Sequence, residues 1–360
     1  MALFDTPCEP NIEGLISNLK REGTPDRVYH MELFLDQEIH GALRERFNTA
    51  PDLKDDDPFF TLKRVMANHQ FLGLDCFIMH AGDVAFPRER LESEDTVEGD
   101  TSRGTRNWTD ENIGVISTWE DFEAYPWPEP KKADTTELEW LEKNLPEGMG
   151  AAGCSHSVCE QVTWLFGYSN LCYKLYDDPD LVDAMFERIG SIFVECTELL
   201  LQFDCVKLFF GGDDMGFKTG TMLPPDVLIT KCLPWHKKIT ELIHDNGRVN
   251  VLHACGNLRD IMDAIIDEVK YDAKHSFEDT IQTVTDAMKE YGDRISLVGG
   301  IDVDFLCRSS EEEIRARVRD TLDECIPGGG YCLGSGNSVA NYIPLDNYLA
   351  MVDEGRKFTG

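Results

Sequence analysis

Two short stretches carry the residues best suited to chemistry. In LHACGN, His253 and Cys255 stand two positions apart, and in GGGYCLGSGN a third soft donor, Cys332, follows much later in the chain. Imidazole and thiolate are strong zinc ligands, and on an extended segment alternate side chains share one face, so His253 and Cys255 can bind one ion together. A set of two thiolates and one imidazole leaves a fourth tetrahedral position open, as catalytic zinc sites do. The alternative is a chance pairing, because the chain has twelve cysteines and most free cysteines are packed as small hydrophobes.

Other candidates cluster near the ends of expected strands. Asp213 and Asp214, in GGDDMG, can offer an oxygen to the same site in a catalytic role, or can be turn and capping residues. His275 and Asp302 can orient a substrate, or be hydrogen-bonded strand-end residues. Asn337 and Ser338 lie where a loop and a following helix amino terminus can present donors to an anion, although glycines there also serve a tight turn. His80 and Asp83 can touch a substrate. Cys154, His156 and Cys159 form a second metal-like cluster whose simpler reading is ordinary thiols.

These residues must be positioned by alternating elements. Apolar runs rich in β-branched and aromatic residues predict eight strands at about 28–34, 74–80, 148–153, 205–210, 248–254, 271–276, 295–300 and 330–334. The third has least support, since glycine and alanine dominate it. Helices are expected at 57–71, 179–203, 224–246, 257–268, 279–291, 310–324 and 344–356. Leu181, Met185, Ile189, Ile192, Phe193 and Cys196 make one apolar face of the second, and Ser310 with Glu311 to Glu313 starts the sixth. The pattern is that of a single α/β domain over 1–360, a (β/α)8 TIM barrel, with His253, Cys255 and Cys332 at the carboxyl ends of its fifth and eighth strands. A polar tract at 84–145 without sustained periodicity reads as a long insertion after the second strand, over the barrel mouth as a lid or docking surface, or as a passive excursion.

With 34 Lys+Arg against 67 Asp+Glu, the formal net charge of -33 repels phosphate backbones and anionic lipid surfaces, which argues against nucleic acid and membrane partners. The first residues lack a basic leader followed by an apolar core, and no stretch approaches the roughly 18 uninterrupted apolar residues of a membrane span. A cytoplasmic protein with reduced thiols is the expectation.

From PDRVYHMELFLDQEI through GGDDMGFKTG, HACGN and YGDRISLVGGID to PGGGYCLGSGNSV and IPLDNY, the chain resembles the uroporphyrinogen decarboxylase superfamily. Within it the likeness is to the zinc-dependent, corrinoid-linked methyltransferases of the methylcobalamin:coenzyme M methyltransferase type. That resemblance implies a (β/α)8 barrel whose zinc is held by a His-x-Cys pair and a distant Cys, positions matched by His253, Cys255 and Cys332. It also implies transfer of a methyl group between the cobalt of a corrinoid, methylcobalamin, and a small thiol or a methylated O, S or N compound. No Asp-x-His-x-x-Gly corrinoid motif occurs in the chain, so the corrinoid is expected on a separate partner protein. The decarboxylases carry an arginine-rich RQAGR-type segment near the first strand to hold substrate carboxylates; here that region reads VYHMELFLDQEIHGALRER. A decarboxylase of this type, or a barrel that binds a corrinoid or thiol without catalysis, are the alternatives.

Overall fold

A computed structural model describes residues 3–358 apart from 7, 83, 89 and 98–103. Seven strands form one parallel sheet in chain order: β1 (Cys76–His80), β2 (Gly150–Cys154), β3 (Val206–Gly212), β4 (Val249–His253), β5 (Ala273–His275), β6 (Ser296–Val298) and β7 (Tyr331–Cys332). The two edges meet along the expected first strand, where His30 makes parallel bridges to both Leu74 and Leu333. Met31 N–H donates to the Leu333 carbonyl at 2.9 Å and Leu333 N–H to the Tyr29 carbonyl at 2.8 Å. The segment thus takes the eighth place as a bridge rather than a full ladder, and the fold is an α/β, TIM-barrel-like one.

Alternate strand residues point inward and fill the sheet's concave side. Cys76, Ala152, Leu208, Phe210, Val249, Val251, Ala273, Val298 and Cys332 make one buried cluster with Tyr29 and Met31. Helix α1 (Ile12–Leu19), which the sequence reading missed, packs Ile12, Leu15 and Leu19 against it and plugs the amino-terminal end. The small residues of β2 have a packing reason: a Cβ on Gly150 would lie 2.8 Å from Ile12 Cγ1, and one on Gly153 2.8 Å from Phe209 Cε1.

Outside the sheet run α2 (Val158–Phe166), α3 (Pro179–Leu200), α4 (Leu233–Asp245) and α5 (Glu311–Cys325), among others. Ser310 and Glu313 close a capping box on α5, as expected. The expected helix at 224–246 is helical throughout 225–245 with a π segment over Leu228–Cys232, and that at 257–268 is helical over 259–269, beginning as a 3-10 turn and ending as a π segment. The 84–145 tract holds an antiparallel hairpin, Arg90–Glu94 with Thr105–Thr109, and short helices at Trp119–Ala124 and Thr136–Asn144. Elements this short leave no periodicity to read. The tract is tied to the helices that follow β2: Ile116 N–H donates to Leu165 O at 2.9 Å, Arg88 to Gln161 at 2.9 Å, and Phe86 packs 5.8 Å from Phe193. Among the described residues, no helix is long and apolar enough to cross a membrane.

Candidate metal centre

The carboxyl ends of the strands open on a cavity of about 540 Å³. Leu33, Phe34, Leu35, Val65, Phe77 and Ile78 make an apolar wall, while Asp214, His253, Cys255, Glu160 and Asn337 stand at its polar end. No Lys or Arg and no described residue of the 84–145 tract lines it.

At the polar end one donor atom each from Asp214, His253 and Cys255 lies within 4.8 Å of the others. His253 Nε2 is 3.4 Å from Cys255 Sγ and 3.6 Å from Asp214 Oδ1. A tetrahedral zinc ion with its usual bond lengths holds N, O and S ligands about 3.3–3.6 Å apart. The loop after β3 and the loop after β4 hold each other: Cys255 N–H donates to Asp214 Oδ1 at 2.7 Å, and Asn257 N–H to Phe217 O at 2.8 Å. Gly256 makes this approach possible, with φ +83° and a Cβ position only 2.2 Å from the Gly216 carbonyl carbon.

A chain of hydrogen bonds settles where the proton on His253 sits. The carbonyl of Ser335 can only accept, so His275 Nε2, 3.1 Å away, is the protonated nitrogen of that ring. His275 Nδ1 is then an acceptor, and His253 Nδ1, at 2.8 Å, must donate to it. The lone pair of His253 is left on Nε2, aimed at Asp214 and Cys255. Burial, then the nearby Lys274 charge, lowers the His253 pKa to about 3, so the ring is neutral. Ser335 is itself gripped by Glu32, whose carboxyl accepts from the Ser335 N–H at 3.0 Å and from its hydroxyl at 2.6 Å.

Burial, reinforced by Asp214, pushes the Cys255 thiol up to about 12. Asn337 Nδ2 donates to its sulfur at 3.2 Å. Burial first, then the carboxylates of Asp213 and Asp214, raises Glu160 well above the usual carboxylate range and favours its neutral form. A neutral imidazole, a sulfur and a carboxylate oxygen facing one another, with no donor hydrogen from the ring between them, fit a zinc ion that would neutralise the acid and ionise the thiol.

The other sequence candidates separate. Cys332 does not join the set. The sequence reading ends its strand at 334, but pairing continues through the Ile301–Ser335 bridge, which leaves Cys332 a layer below the rim. There its sulfur accepts from Asn18 Nδ2 of α1 at 3.3 Å, inside the apolar cluster. From that final segment it is Asn337 that reaches Cys255. Asp213 turns inward and caps α2, accepting from Cys159 N–H and Glu160 N–H at 2.8 Å each. Asp302 caps the short helix Val303–Arg308 through Phe305 N–H at 3.1 Å, accepts from Asp279 N–H at 2.8 Å, and faces a different cavity. His275 lies behind His253 rather than against a substrate. The Ser338 N–H is taken by Asn337 Oδ1 at 2.8 Å, and the next helix begins only at Leu345, so no helix terminus presents donors there.

His80 does line the cavity, beside Cys154; Asp83 is outside the described residues. The Cys154, His156, Cys159 cluster is split, with the His156 ring buried 6.2 Å from that of His236 and Cys159 buried beside Cys232. Glu32, Glu160 and Ser335 were missed. Each sits in an unremarkable local sequence, and only the closure of the sheet brings it to the mouth.

Against known proteins, the family model described as Uroporphyrinogen decarboxylase (URO-D) matches residues 115–358. Among solved structures, a methyltransferase from Methanosarcina mazei superposes with TM-score 0.70 and 15% identity, over 97% of this chain and 99% of that one. A protein from Listeria monocytogenes, provisionally assigned as a vitamin-B12-independent methionine synthase, gives TM-score 0.47 and 14% identity over 93% and 97%. At 15% identity the likeness to the Methanosarcina mazei protein is one of fold. No curated protein matches the sequence.

Proposed function

The chain belongs to the uroporphyrinogen decarboxylase family, and on that premise we propose that it is a zinc-dependent methyltransferase. It moves a methyl group between a corrinoid carried by a partner protein and a small, uncharged thiol or methylated compound. The carrying observation is the His253 Nε2 lone pair held toward Asp214 and Cys255 at the floor of a cavity. Asp214, His253 and Cys255, which all line the cavity, would hold the ion. Zinc bound there supplies Lewis acidity, which keeps a substrate thiol ionised at neutral pH or polarises a methylated leaving group.

The protein's own residues do the rest. His275 and the Ser335 carbonyl fix the tautomer of His253, as outer partners of metal-bound histidines commonly do. Asn337 steadies the Cys255 sulfur. The wall from Leu33 to Leu35 with Phe77 and Ile78 seats an apolar body and excludes water. The open mouth is where the corrinoid protein must approach, and the acidic surface and the 84–145 tract are its candidate docking features.

The decarboxylase alternative has less support. A substrate with several carboxylates needs cations to offset their desolvation. This cavity offers two acids, Glu160 and Asp214, and neither Lys nor Arg among its lining residues.

Metal analysis of the purified protein tests the reading. One zinc per chain is expected, lost in His253→Ala and in Cys255→Ser. Incubation with methylcobalamin and a series of neutral thiols should demethylate the cobalt in the parent and not in those variants. A metal-free parent that still demethylates cobalt, or zinc-loaded protein inert with every thiol and every methyl donor, would sink the proposal.

A further inference from the structure

A second thiol lines the same cavity, in surroundings unlike those of Cys255. His80 ends β1, Cys154 ends β2, and the two are direct partners in the parallel register. As direct partners on neighbouring parallel strands they present their side chains on one face, and both line the cavity. Gly212, the last residue of β3, lines it too. A thiol is thus set beside an imidazole at the cavity wall, a pairing that favours the thiolate.

The electrostatics follow that geometry. Burial raises the Cys154 thiol, but the neighbouring His80 imidazole and nearby backbone amides outweigh it, and the net shift is downward. His80 moves up in turn, chiefly through Cys154. Among the cysteines whose thiols are displaced, every other one moves up, including Cys255 and Cys332. Glu160 and Asp214 are the acids that line the same cavity.

We propose that Cys154, activated by its neighbour His80, is a second nucleophilic centre that takes an alkyl group from a soft carbon electrophile entering the cavity. The sulfur's electron pair forms an S–C bond as the carbon's bond to its leaving group breaks. The leaving group departs with that bond pair, and His80 supplies a proton where the leaving group needs one. Neither residue belongs to the Asp214, His253, Cys255 set, so the proposal stands apart from the zinc reading.

The test is a time course of alkylation by 2-iodoacetamide at pH 7 on the purified full-length protein, read peptide by peptide by mass spectrometry. Cys154 should be modified about tenfold faster or more than the partly buried Cys172 and Cys307, with loss of iodide. In His80→Phe the rate at Cys154 should fall about tenfold, with Cys172 and Cys307 unchanged. The core thiols Cys205 and Cys332 should stay unmodified in both proteins, which certifies the fold. Cys154 reacting no faster than Cys307, or a His80→Phe protein with an intact labelling pattern and an undiminished Cys154 rate, would overturn the proposal.

Discussion

Asp213 and Asp214 are adjacent, and each meets one histidine and one cysteine, yet the two sets are opposites. Asp213 lies with Cys232 and His236 in a fully buried group, and Asp214 with His253 and Cys255 at the cavity. The difference is where the ring proton sits. The Tyr271 hydroxyl, 2.8 Å from His236 Nδ1, and the Asp213 carboxylate, 2.7 Å from Nε2, are together satisfied when His236 donates through Nε2. That proton is spent on Asp213, whose oxygens also accept two α2 amides. His253 spends its proton backward on His275 and keeps its lone pair forward. The same three residue types make a closed structural knot in one place and an open ligand set in the other.

The largest expected effect comes from the knot. Asp213→Ala removes the cap of α2 and strands His236, and should cost about 3–5 kcal/mol in urea denaturation. If stability holds while zinc is lost, the two roles have been assigned the wrong way round. Next is His275→Ala, which frees the His253 ring to turn. Zinc affinity, measured by competition with a chelator, should drop about 10–100-fold with little change in stability. An unchanged affinity would remove His275 from the site.

Asn337→Ala deletes one hydrogen bond to the Cys255 sulfur and should weaken zinc by about fivefold. The smallest effect is expected of Cys332→Ala, which should cost about 1 kcal/mol of stability and leave the zinc content untouched. Loss of zinc in that variant would restore Cys332 as a ligand and break the comparison at its base.

Much of the scaffold was legible. The runs at 74–80, 248–254, 271–276, 295–300 and 330–334 each contain an observed strand and those at 148–153 and 205–210 overlap one, because period-two patterns and short apolar stretches report local burial directly. His253-x-Cys255 was also legible, since residues two positions apart on an extended segment share a face wherever that segment lies. The fragmentary elements of 84–145 were not, and neither was α1, which has only eight residues.

What residue order alone determined, then, is which segments extend, which coil, and that His253 and Cys255 look the same way. Tertiary structure decided the rest: that Cys332 lies a layer too deep, that neighbouring aspartates face opposite sides, and that a carbonyl at Ser335 directs a lone pair at His253. The reason is physical. Side-chain alternation is a property of one strand, but the height of a residue in a barrel is set by the stagger between strands, and a proton's position by every partner along a hydrogen-bond chain.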